Sequence, residues 1–309
     1  MPTPRNSLVV VLLALVAVSA AVGVGAHLVT SSDSTDSPNV SAAGLTVPAA
    51  GAGRAWASES SATLSPGVQT YIGDGQCTAD FVFVDAAKHV YLGQAAHCAE
   101  RGESSHGDGC HTASRPLGTQ VTFNRGGFSD NSGSVVGNGT LAYSSWLTMQ
   151  QRHETNHTTC AYNDFALVAV DSKYAGDVNP TMPYWGGPDG LNRAGMVADE
   201  RLHGYGNSSL RGGDTRLSPQ TGWADGDQSA ARGWSHQYHS PKPGLPGDSG
   251  SGFLDSRGRA VGTLSTLGLS IPIVNATGDL YRELAYARAY SGIDGLQLVL
   301  GTKHFRASS

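Results

Sequence analysis

Gly247-Asp248-Ser249-Gly250-Ser251-Gly252 is the stretch of this chain that says most about its fold. A serine lies among small residues, directly after an aspartate, in a loop that has to bend sharply. Such a bend exposes the hydroxyl and directs neighbouring backbone N–H groups at one point. Acyl transfer needs this combination of a nucleophile and an oxyanion hole. Because glycine-rich turns are common and the chain has 41 glycines, the stretch taken alone fits a tight surface turn equally well.

Two upstream segments supply the partners that a nucleophilic serine needs. Gln94-Ala95-Ala96-His97-Cys98 follows a short apolar run, and Asn163-Asp164-Phe165-Ala166-Leu167-Val168 places an aspartate where a second apolar run begins. A single histidine beside a cysteine is usually a packed or surface histidine, and a single aspartate before a strand usually ends a turn. In the chain order His97, Asp164, Ser249, the three together indicate a catalytic triad.

The three motifs resemble those of the chymotrypsin/trypsin-like serine peptidases of the exported bacterial type. The matching residues are Ala96-His97-Cys98, Asp164-Phe165-Ala166-Leu167 and Gly247-Asp248-Ser249-Gly250, and the resemblance extends over about residues 68–300. It implies an all-β fold of two six-stranded antiparallel barrels, with the site in the cleft between them and a C-terminal helix. The implied activity is hydrolysis of polypeptide substrates through an acyl-enzyme, with no metal and no cofactor.

The resemblance also assigns roles to the site residues. Ser249 is the nucleophile, His97 takes its proton and later passes it to the leaving group, and Asp164 holds the imidazole tautomer. The backbone N–H groups of Gly247 and Ser249 form the implied oxyanion hole. A glycine suits position 247 because the substrate has to approach the backbone closely there.

Four cysteines, Cys77, Cys98, Cys110 and Cys160, are typical of an exported protein in an oxidising compartment. Four cysteines permit three different pairings. The family resemblance selects Cys77–Cys98, which staples the loop of His97, and leaves Cys110–Cys160 as the second disulfide.

The chain departs from the family where substrate choice is set. Pro243 stands six residues before the nucleophile, where tryptic members carry an acid, so specificity for lysine or arginine is not expected. The family's Ser-Trp-Gly segment is replaced by Ser265-Thr266-Leu267. Ser265 is expected to support Asp164, and Thr266 to line the substrate strand. Leu267, in place of a glycine, narrows the pocket, which predicts small or modest apolar residues before the scissile bond.

The activation sequence of many family members, a basic residue followed by Ile-Val-Gly-Gly, is not found in this chain. In those members the freed N-terminus pairs with the aspartate before the nucleophile, which is Asp248 here. Since a buried, unpaired carboxylate is costly, an internal arginine is expected to replace the N-terminus. The candidates are Arg211, Arg232 and Arg259.

The first sixty or so residues are predicted to be non-globular. Residues 8–29 are largely apolar and follow Arg5, which indicates either a secretory signal that ends near Val24-Gly25-Ala26 or an uncleaved membrane anchor. The many Ala and Gly residues favour the cleaved signal. In both cases the domain is exported, either secreted freely or tethered at the cell surface. Residues 1–30 are assigned to this segment, and residues 31–66 to a disordered linker or propeptide.

Residues 67–309 are numerous enough for one double-barrel domain with a sizeable core. The first barrel is expected at about 67–172, the second at about 173–278, and a helix with Leu280, Leu284 and Ala287 at helical spacing at about 279–290. Short β-rich runs separated by turn signals support the all-β class. They are Phe81–Val84, Val90–Leu92, Val121–Phe123, Ala166–Val170 and Val261–Leu264.

Composition bears on the partners of the protein. The net charge is −5 and charged residues make up 15% of the chain, with no basic patch that would attract nucleic acid. We therefore expect no nucleic-acid partner. The family resemblance implies a polypeptide substrate, and a monomer is expected.

One further motif, His153-Glu154-Thr155-Asn156-His157, matches the zinc-peptidase pattern H-E-x-x-H. That pattern binds zinc on a helix, where both imidazoles share one face. Thr, Asn and His are weak helix formers and no apolar face accompanies them, so a polar loop without a metal is predicted before the Asp164 strand. Two alternative functions stay open: a zinc peptidase, and a non-catalytic binding protein on the serine-peptidase fold.

Overall fold

The computed structural model of the protein describes residues 54–102, 108–128, 131–226, 229–267 and 274–307. The predicted signal or anchor at 8–29 and most of the predicted linker at 31–66 lie outside these ranges. Within them, no helix is both long enough and apolar enough to span a membrane. The described ranges contain two β-sheets, one from each half of the chain, and three short α-helices.

The first half of the chain forms an eight-stranded sheet around an apolar core. The core includes Leu92, Val121 and Phe123, which are fully buried. The strands are β1 (Gln69–Ile72), β2 (Gly75–Thr78), β3 (Val82–Val84), β4 (Val90–Gln94), β5 (Gln120–Arg125), β6 (Ser134–Ser144), β7 (Ala166–Val170) and, from the C-terminal end, β15 (Gln297–Leu298). Their order across the sheet is β15-β3-β4-β7-β6-β5-β1-β2.

The second half closes into a six-stranded antiparallel barrel. Its strands are β9 (Arg201–Tyr205), β10 (Pro219–Ala224), β11 (Ser235–His239), β12 (Gly252–Leu254), β13 (Arg259–Leu267) and β14 (Val274–Gly278). Around the ring the order is β12-β9-β10-β11-β14-β13, and β13 pairs with β12 to close it. A short β8 (Gly190–Leu191) adds in parallel to β13. Leu202, Phe253 and Leu264 are fully buried in the interior.

A third core cluster joins the two halves. Phe81 and Phe165 from the first half belong to the same buried cluster as Leu254 from the barrel and Leu280 from the C-terminal helix. Because this shared core holds sheet and barrel together, side chains at strand ends of both halves can meet in one site.

The all-β class predicted from the sequence is confirmed, and the second half forms the six-stranded antiparallel barrel that was expected. The first half differs in detail, since it forms a sheet of eight described strands rather than six. β15, from the C-terminal end of the chain, pairs with β3 and forms one edge of the sheet, and the β1–β2 hairpin forms the other edge. The C-terminal helix is α3 (Leu280–Tyr290), whose first turn is capped by the Asp279 carboxylate.

The region of the H-E-x-x-H motif is more helical than predicted. Residues 153–156 of the motif lie in a polar loop, as predicted, but the loop is short. It joins α1 (Ser145–Gln151) to α2 (His157–Tyr162), which the sequence did not predict and which begin at the capping side chains of Ser144 and Asn156. Propensity alone misses such short helices because their starts depend on these caps. His153 follows α1 whereas the second histidine opens α2, so the two imidazoles do not share the face of one helix.

Candidate active site

His97 and Asp164 meet because the strands that lead to them are neighbours. β4 pairs with β7 so that Gln94 lies opposite Ala166, and His97 and Asp164 stand just beyond this shared end. His97 lies in a 3₁₀ turn, Ala96–Ala99, that follows β4. Its Nδ1 is 2.6 Å from Asp164 Oδ2, and its backbone N–H donates to Oδ1 at 2.8 Å. Both carboxylate oxygens therefore orient His97.

A third donor to Asp164 comes from the barrel. Ser265, near the end of β13, donates its hydroxyl hydrogen to Oδ2 at 2.6 Å. The Asp164 backbone N–H in turn donates to Oε1 of Glu283 on α3 at 3.2 Å. The Asp164 side chain keeps only 7% of its surface exposed, against 24% for His97. The carboxylate is thus buried and fully engaged, while the imidazole has an open edge.

The electrostatics of the His97–Asp164 pair favour the protonated, positively charged form of His97. Burial lowers the pKa of His97, but the negative charge of Asp164 and the hydrogen bond between the two groups outweigh it. The pKa is therefore raised above the ordinary value of 6.5. The Trp146 ring lies beside the imidazole, with the ring centres 6.5 Å apart. An imidazole that holds a proton well in this position is suited to accept one from a hydroxyl.

The loop of the predicted nucleophile needs glycine at two positions. Gly247 (φ 95°) and Gly250 (φ 86°) lie in a backbone region that residues with side chains avoid. A Cβ on Gly247 would lie 2.3 Å from Gln76 Oε1, so a side chain there would have to displace the amide. Thr78 holds the loop twice, since its hydroxyl donates to the Gly247 carbonyl and its N–H to the Ser249 carbonyl, both at 2.8 Å.

These contacts bring Ser249 to the same end of the molecule as the histidine–aspartate pair. Thr78 adjoins Cys77, whose disulfide partner Cys98 directly follows His97. On its other side the loop hydrogen-bonds to β13, the strand that supplies the third donor to the carboxylate. The fold therefore joins His97 to Asp164 and fastens the loop of Ser249 to segments that adjoin them.

Four polar groups around the loop have no hydrogen-bond partner within the described ranges. They are the Ser249 hydroxyl, His97 Nε2 and the backbone N–H groups of Gly247 and Ser249. No hydrogen bond joins Ser249 to His97 among these described contacts. Such bonds commonly tighten only when substrate is bound. Both N–H groups of the predicted oxyanion hole are available to an acceptor.

Asp248 is completely buried and is neutralised by Arg211. The guanidinium Nε and Nη2 bind its two carboxylate oxygens. The Ser208 and Leu245 N–H groups and the Gln220 side chain each add a hydrogen bond at 2.9 Å. This set of donors occupies both oxygens and holds the residue before the predicted nucleophile in place.

The other two arginines that the sequence offered for Asp248 do not reach it. Arg259 Nε is 2.6 Å from Asp255 Oδ2. Arg232 forms no ion pair with any residue in the described part of the chain. Arg211 is only 8% exposed, so the pair has lost most of its hydration, and the additional hydrogen bonds offset that cost.

Leu267 packs against Gly244, in the region where the sequence predicts the substrate pocket. A Cβ on Gly244 would lie 2.5 Å from Leu267 Cδ2, so the leucine side chain packs directly on that glycine. Asn275 adjoins the same spot and is 1% exposed, and its side-chain atoms have no partner among the described residues. Thr266 is exposed and Pro243 is half-buried. Residues 268–273, which follow Leu267, lie outside the described ranges.

Both disulfides of the implied pairing are formed, Cys77–Cys98 and Cys110–Cys160. The first ties β2 to the 3₁₀ turn of His97. The second ties the segment before β5 to α2, which ends two residues before Asp164. No free cysteine occurs in the described chain. The two bonds thus brace the segments that hold His97 and Asp164.

Two residues near the site have little or no signal in the sequence. Glu283 lies on the buried face of the predicted C-terminal helix, between Leu280 and Leu284. A charged residue is unexpected on an apolar face, and this was the only feature of the sequence that marked it. Gln76 lies against Gly247, and its Oε1 accepts a hydrogen bond from the backbone N–H of Ser209, 133 positions away in the chain. Nothing in the local pattern marks Gln76, because its contacts exist only after folding.

No protein-family model and no curated protein matches the chain. Among solved structures, Thermobifida fusca protease A is 16% identical, with a TM-score of 0.48 over 77% of this chain and 99% of its own. Nocardiopsis protease is 16% identical, with a TM-score of 0.46 over 76% and 98% of the two chains. Cellulomonas bogoriensis chymotrypsin is also 16% identical, with a TM-score of 0.43 over 76% and 98%. The chain is thus similar to bacterial chymotrypsin-like serine proteases at low sequence identity.

Proposed function

We propose that the protein is a serine endopeptidase that hydrolyses peptide bonds through an acyl-enzyme. The observation that carries the proposal is the hydrogen-bond network of Asp164. Its carboxylate accepts from the ring and the backbone N–H of His97 and from Ser265. This network supports an imidazole oriented toward general-base work at the glycine-rich loop that carries Ser249.

In the proposed reaction, Ser249 Oγ attacks the carbonyl carbon of the scissile peptide while His97 Nε2 takes the hydroxyl proton. The N–H groups of Gly247 and Ser249 hold the oxyanion. The C–N bond then breaks, and His97 passes its proton to the leaving amine. A water molecule, deprotonated by His97, hydrolyses the ester and releases the acid, and the proton returns to Ser249. Asp164 stabilises the imidazolium in both halves of the reaction.

The pocket supports cleavage after small or modest apolar residues. Pro243 stands where a tryptic enzyme would need a carboxylate, so a lysine or arginine side chain would be left without a counter-ion there. The packing of Leu267 on Gly244 leaves little depth for a long side chain. Alanine before the scissile bond fits these walls.

Export is proposed from two features. The described domain carries two disulfides, which persist in oxidising compartments. The sequence places the apolar segment 8–29 ahead of it, as a cleaved signal or as a tether at the cell surface. We propose a monomeric enzyme that meets polypeptide substrates outside the cytoplasm, with no nucleic-acid partner.

Hydrolysis of a denatured polypeptide tests the proposal. Ser249→Ala and His97→Ala should each cut turnover by about 10⁴-fold or more while the fold is retained. Ser256→Ala, in the exposed turn between β12 and β13, is the matched control and should keep full activity. Comparable turnover in Ser249→Ala would end the proposal. Loss on chelation without loss in Ser249→Ala would favour the zinc peptidase, and a folded but inert wild type would favour the binding protein.

Leu267→Gly tests the proposed specificity. Removing the leucine side chain that packs on Gly244 should deepen the pocket. The kcat/KM for substrates with leucine or phenylalanine before the scissile bond should therefore rise about tenfold relative to substrates with alanine there. Leu117→Gly makes the same change at an exposed position and should leave the preference as it is. An unchanged preference in Leu267→Gly would show that other residues set the pocket depth.

A further inference from the structure

Glu283 is a buried carboxyl group that the proposed reaction does not use. It lies on α3, is 0% exposed, and its Oε1 accepts the Asp164 backbone N–H at 3.2 Å. Oε2 has no hydrogen-bond partner among the described residues. Gly278 leaves room for the group, since a Cβ there would lie 2.2 Å from Oε1. The carboxyl is therefore part of the contact between α3 and the chain segment that carries Asp164.

The charged groups around Glu283 are mainly carboxylates. Burial, and then the charges of Asp164, Asp279 and Asp80, hold the pKa of Glu283 well above its usual range. Asp80 is itself fully buried, and burial raises its pKa to about 7. Asp279 caps α3, and its Oδ2 is 2.8 Å from Nε2 of His236 on β11. An ionised Glu283 would therefore add a further anion to this cluster.

The group of the first sheet that interacts electrostatically with Glu283 is a tyrosine, which carries no positive charge. Tyr143 on β6 is 1% exposed, and its hydroxyl has no partner among the described residues. Burial, and then the charges of Tyr286 and Glu283, raise the pKa of Tyr143 well above its ordinary value. The histidines in contact with Asp164 and Asp279 are His97 and His236, and each already binds its own carboxylate. A buried anion without its own cation costs far more than a neutral acid.

We propose that Glu283 is a positioning residue of the site, which holds the Asp164 main chain in place as an uncharged carboxylic acid. Its proton resides on Oε2, so Oε1 remains free to accept the hydrogen bond from the Asp164 backbone N–H. Without this acceptor the Asp164 N–H would be a buried, unsatisfied donor beside the residue that orients His97. Because the acid is neutral, it anchors the segment without adding charge to the pair. Only its kinetic consequence rests on the proposed function.

The test compares Glu283→Gln with Glu283→Met and follows the pKa of His97 by NMR, with the ring signals assigned by their loss in His97→Ala. The glutamine keeps a neutral oxygen acceptor, so the His97 pKa should stay as in the wild type. The methionine is similar in size but has no acceptor, so Asp164 should loosen and the His97 pKa should fall. Glu59→Gln, at an exposed carboxylate, is the control and should change nothing.

Two results would overturn the proposal. A drop of about one pH unit in the His97 pKa of Glu283→Gln would mean that a negative charge had been removed. An unchanged His97 pKa in folded Glu283→Met would mean that the hydrogen bond positions nothing. If the methionine variant does not fold, the glutamine variant still decides, because its His97 pKa either holds or falls.

The rate at which a fluorophosphonate modifies Ser249 is the second readout. At a pH where His97 is neutral, Glu283→Met should react about tenfold more slowly and Glu283→Gln within about twofold of the wild type. A wild type that never reacts but shows the expected His97 pKa changes would refute the proposed function and support the role of Glu283. A reactive wild type with unaffected variants would refute the role of Glu283 alone.

Discussion

Two buried carboxylates with different partners stabilise the site at the scale of single residues. Asp164 takes its donors from His97 and Ser265, and so determines where the imidazole points. Asp248 takes its donors from Arg211 and its surroundings, and so holds the loop that carries Ser249. In the proposed reaction the first governs proton transfer and the second governs loop geometry, so substitutions at the two should have separable effects.

Asp164→Asn should lower kcat by about 10⁴-fold, because the amide neither enforces the imidazole tautomer nor stabilises the imidazolium. The charge of Asp164 raises the pKa of His97, so its removal should move the acid limb of kcat/KM to lower pH. In the wild type that limb should lie above pH 6.5, the ordinary value for histidine. pH–rate profiles of both proteins check this, with Asp74→Asn in an exposed turn as the control. An acid limb that does not move in Asp164→Asn would speak against the pairing.

Arg211→Ala should lower the free energy of unfolding by about 3–5 kcal/mol, because it leaves Asp248 buried without its counter-ion. Adding Asp248→Asn should restore part of the loss, since it removes the unpaired charge. Arg216→Ala is the matched control, because its guanidinium is 88% exposed in the pair with Asp214 and should leave the urea midpoint where it is. Equal urea midpoints for Arg211→Ala and the wild type would refute the assignment of Arg211 as the partner of Asp248.

At the scale of elements, the two disulfides should differ in what they support. Cys77–Cys98 spans 21 positions and Cys110–Cys160 spans 50. Loop-closure entropy predicts that the free energy of unfolding falls by about 3 kcal/mol when the first cysteine pair is replaced by alanine, and by about 4 kcal/mol for the second. Because Cys98 adjoins His97, loss of the first disulfide should also reduce turnover under conditions where the protein stays folded. Urea unfolding together with turnover measures both effects. Equal loss of turnover in the two double variants would contradict the difference.

Elements with a strong local pattern could be predicted from the sequence, and elements defined by partners could not. The strand Ala166–Val170 has the bounds that its apolar run predicts, because a buried central strand needs no other signal. The strands β8 and β15 are two residues long and exist through pairing with distant strands. The helices α1 and α2 depend on caps at Ser144 and Asn156 rather than on propensity.

At the scale of the whole molecule, the site draws its groups from both halves of the chain. The order of His97, Asp164 and Ser249 could be predicted because each lies in a local motif. The choice of Arg211 among three arginines could not be predicted, since it depends on which loop folds over the turn that carries Ser249. The contact of Glu283 with Asp164 could not be predicted either, because α3 reaches Asp164 only after the barrel and the first sheet have packed together.

The most direct test of the proposed activity is the intact mass of the protein after exposure to a fluorophosphonate, with Ser249→Ala and His97→Ala in parallel. An activated serine attacks phosphorus and expels fluoride, which leaves one covalent adduct on the protein. We predict a single adduct on the wild type and none on either variant. A folded wild type without an adduct, or an adduct that persists in Ser249→Ala, would contradict a serine nucleophile at this site.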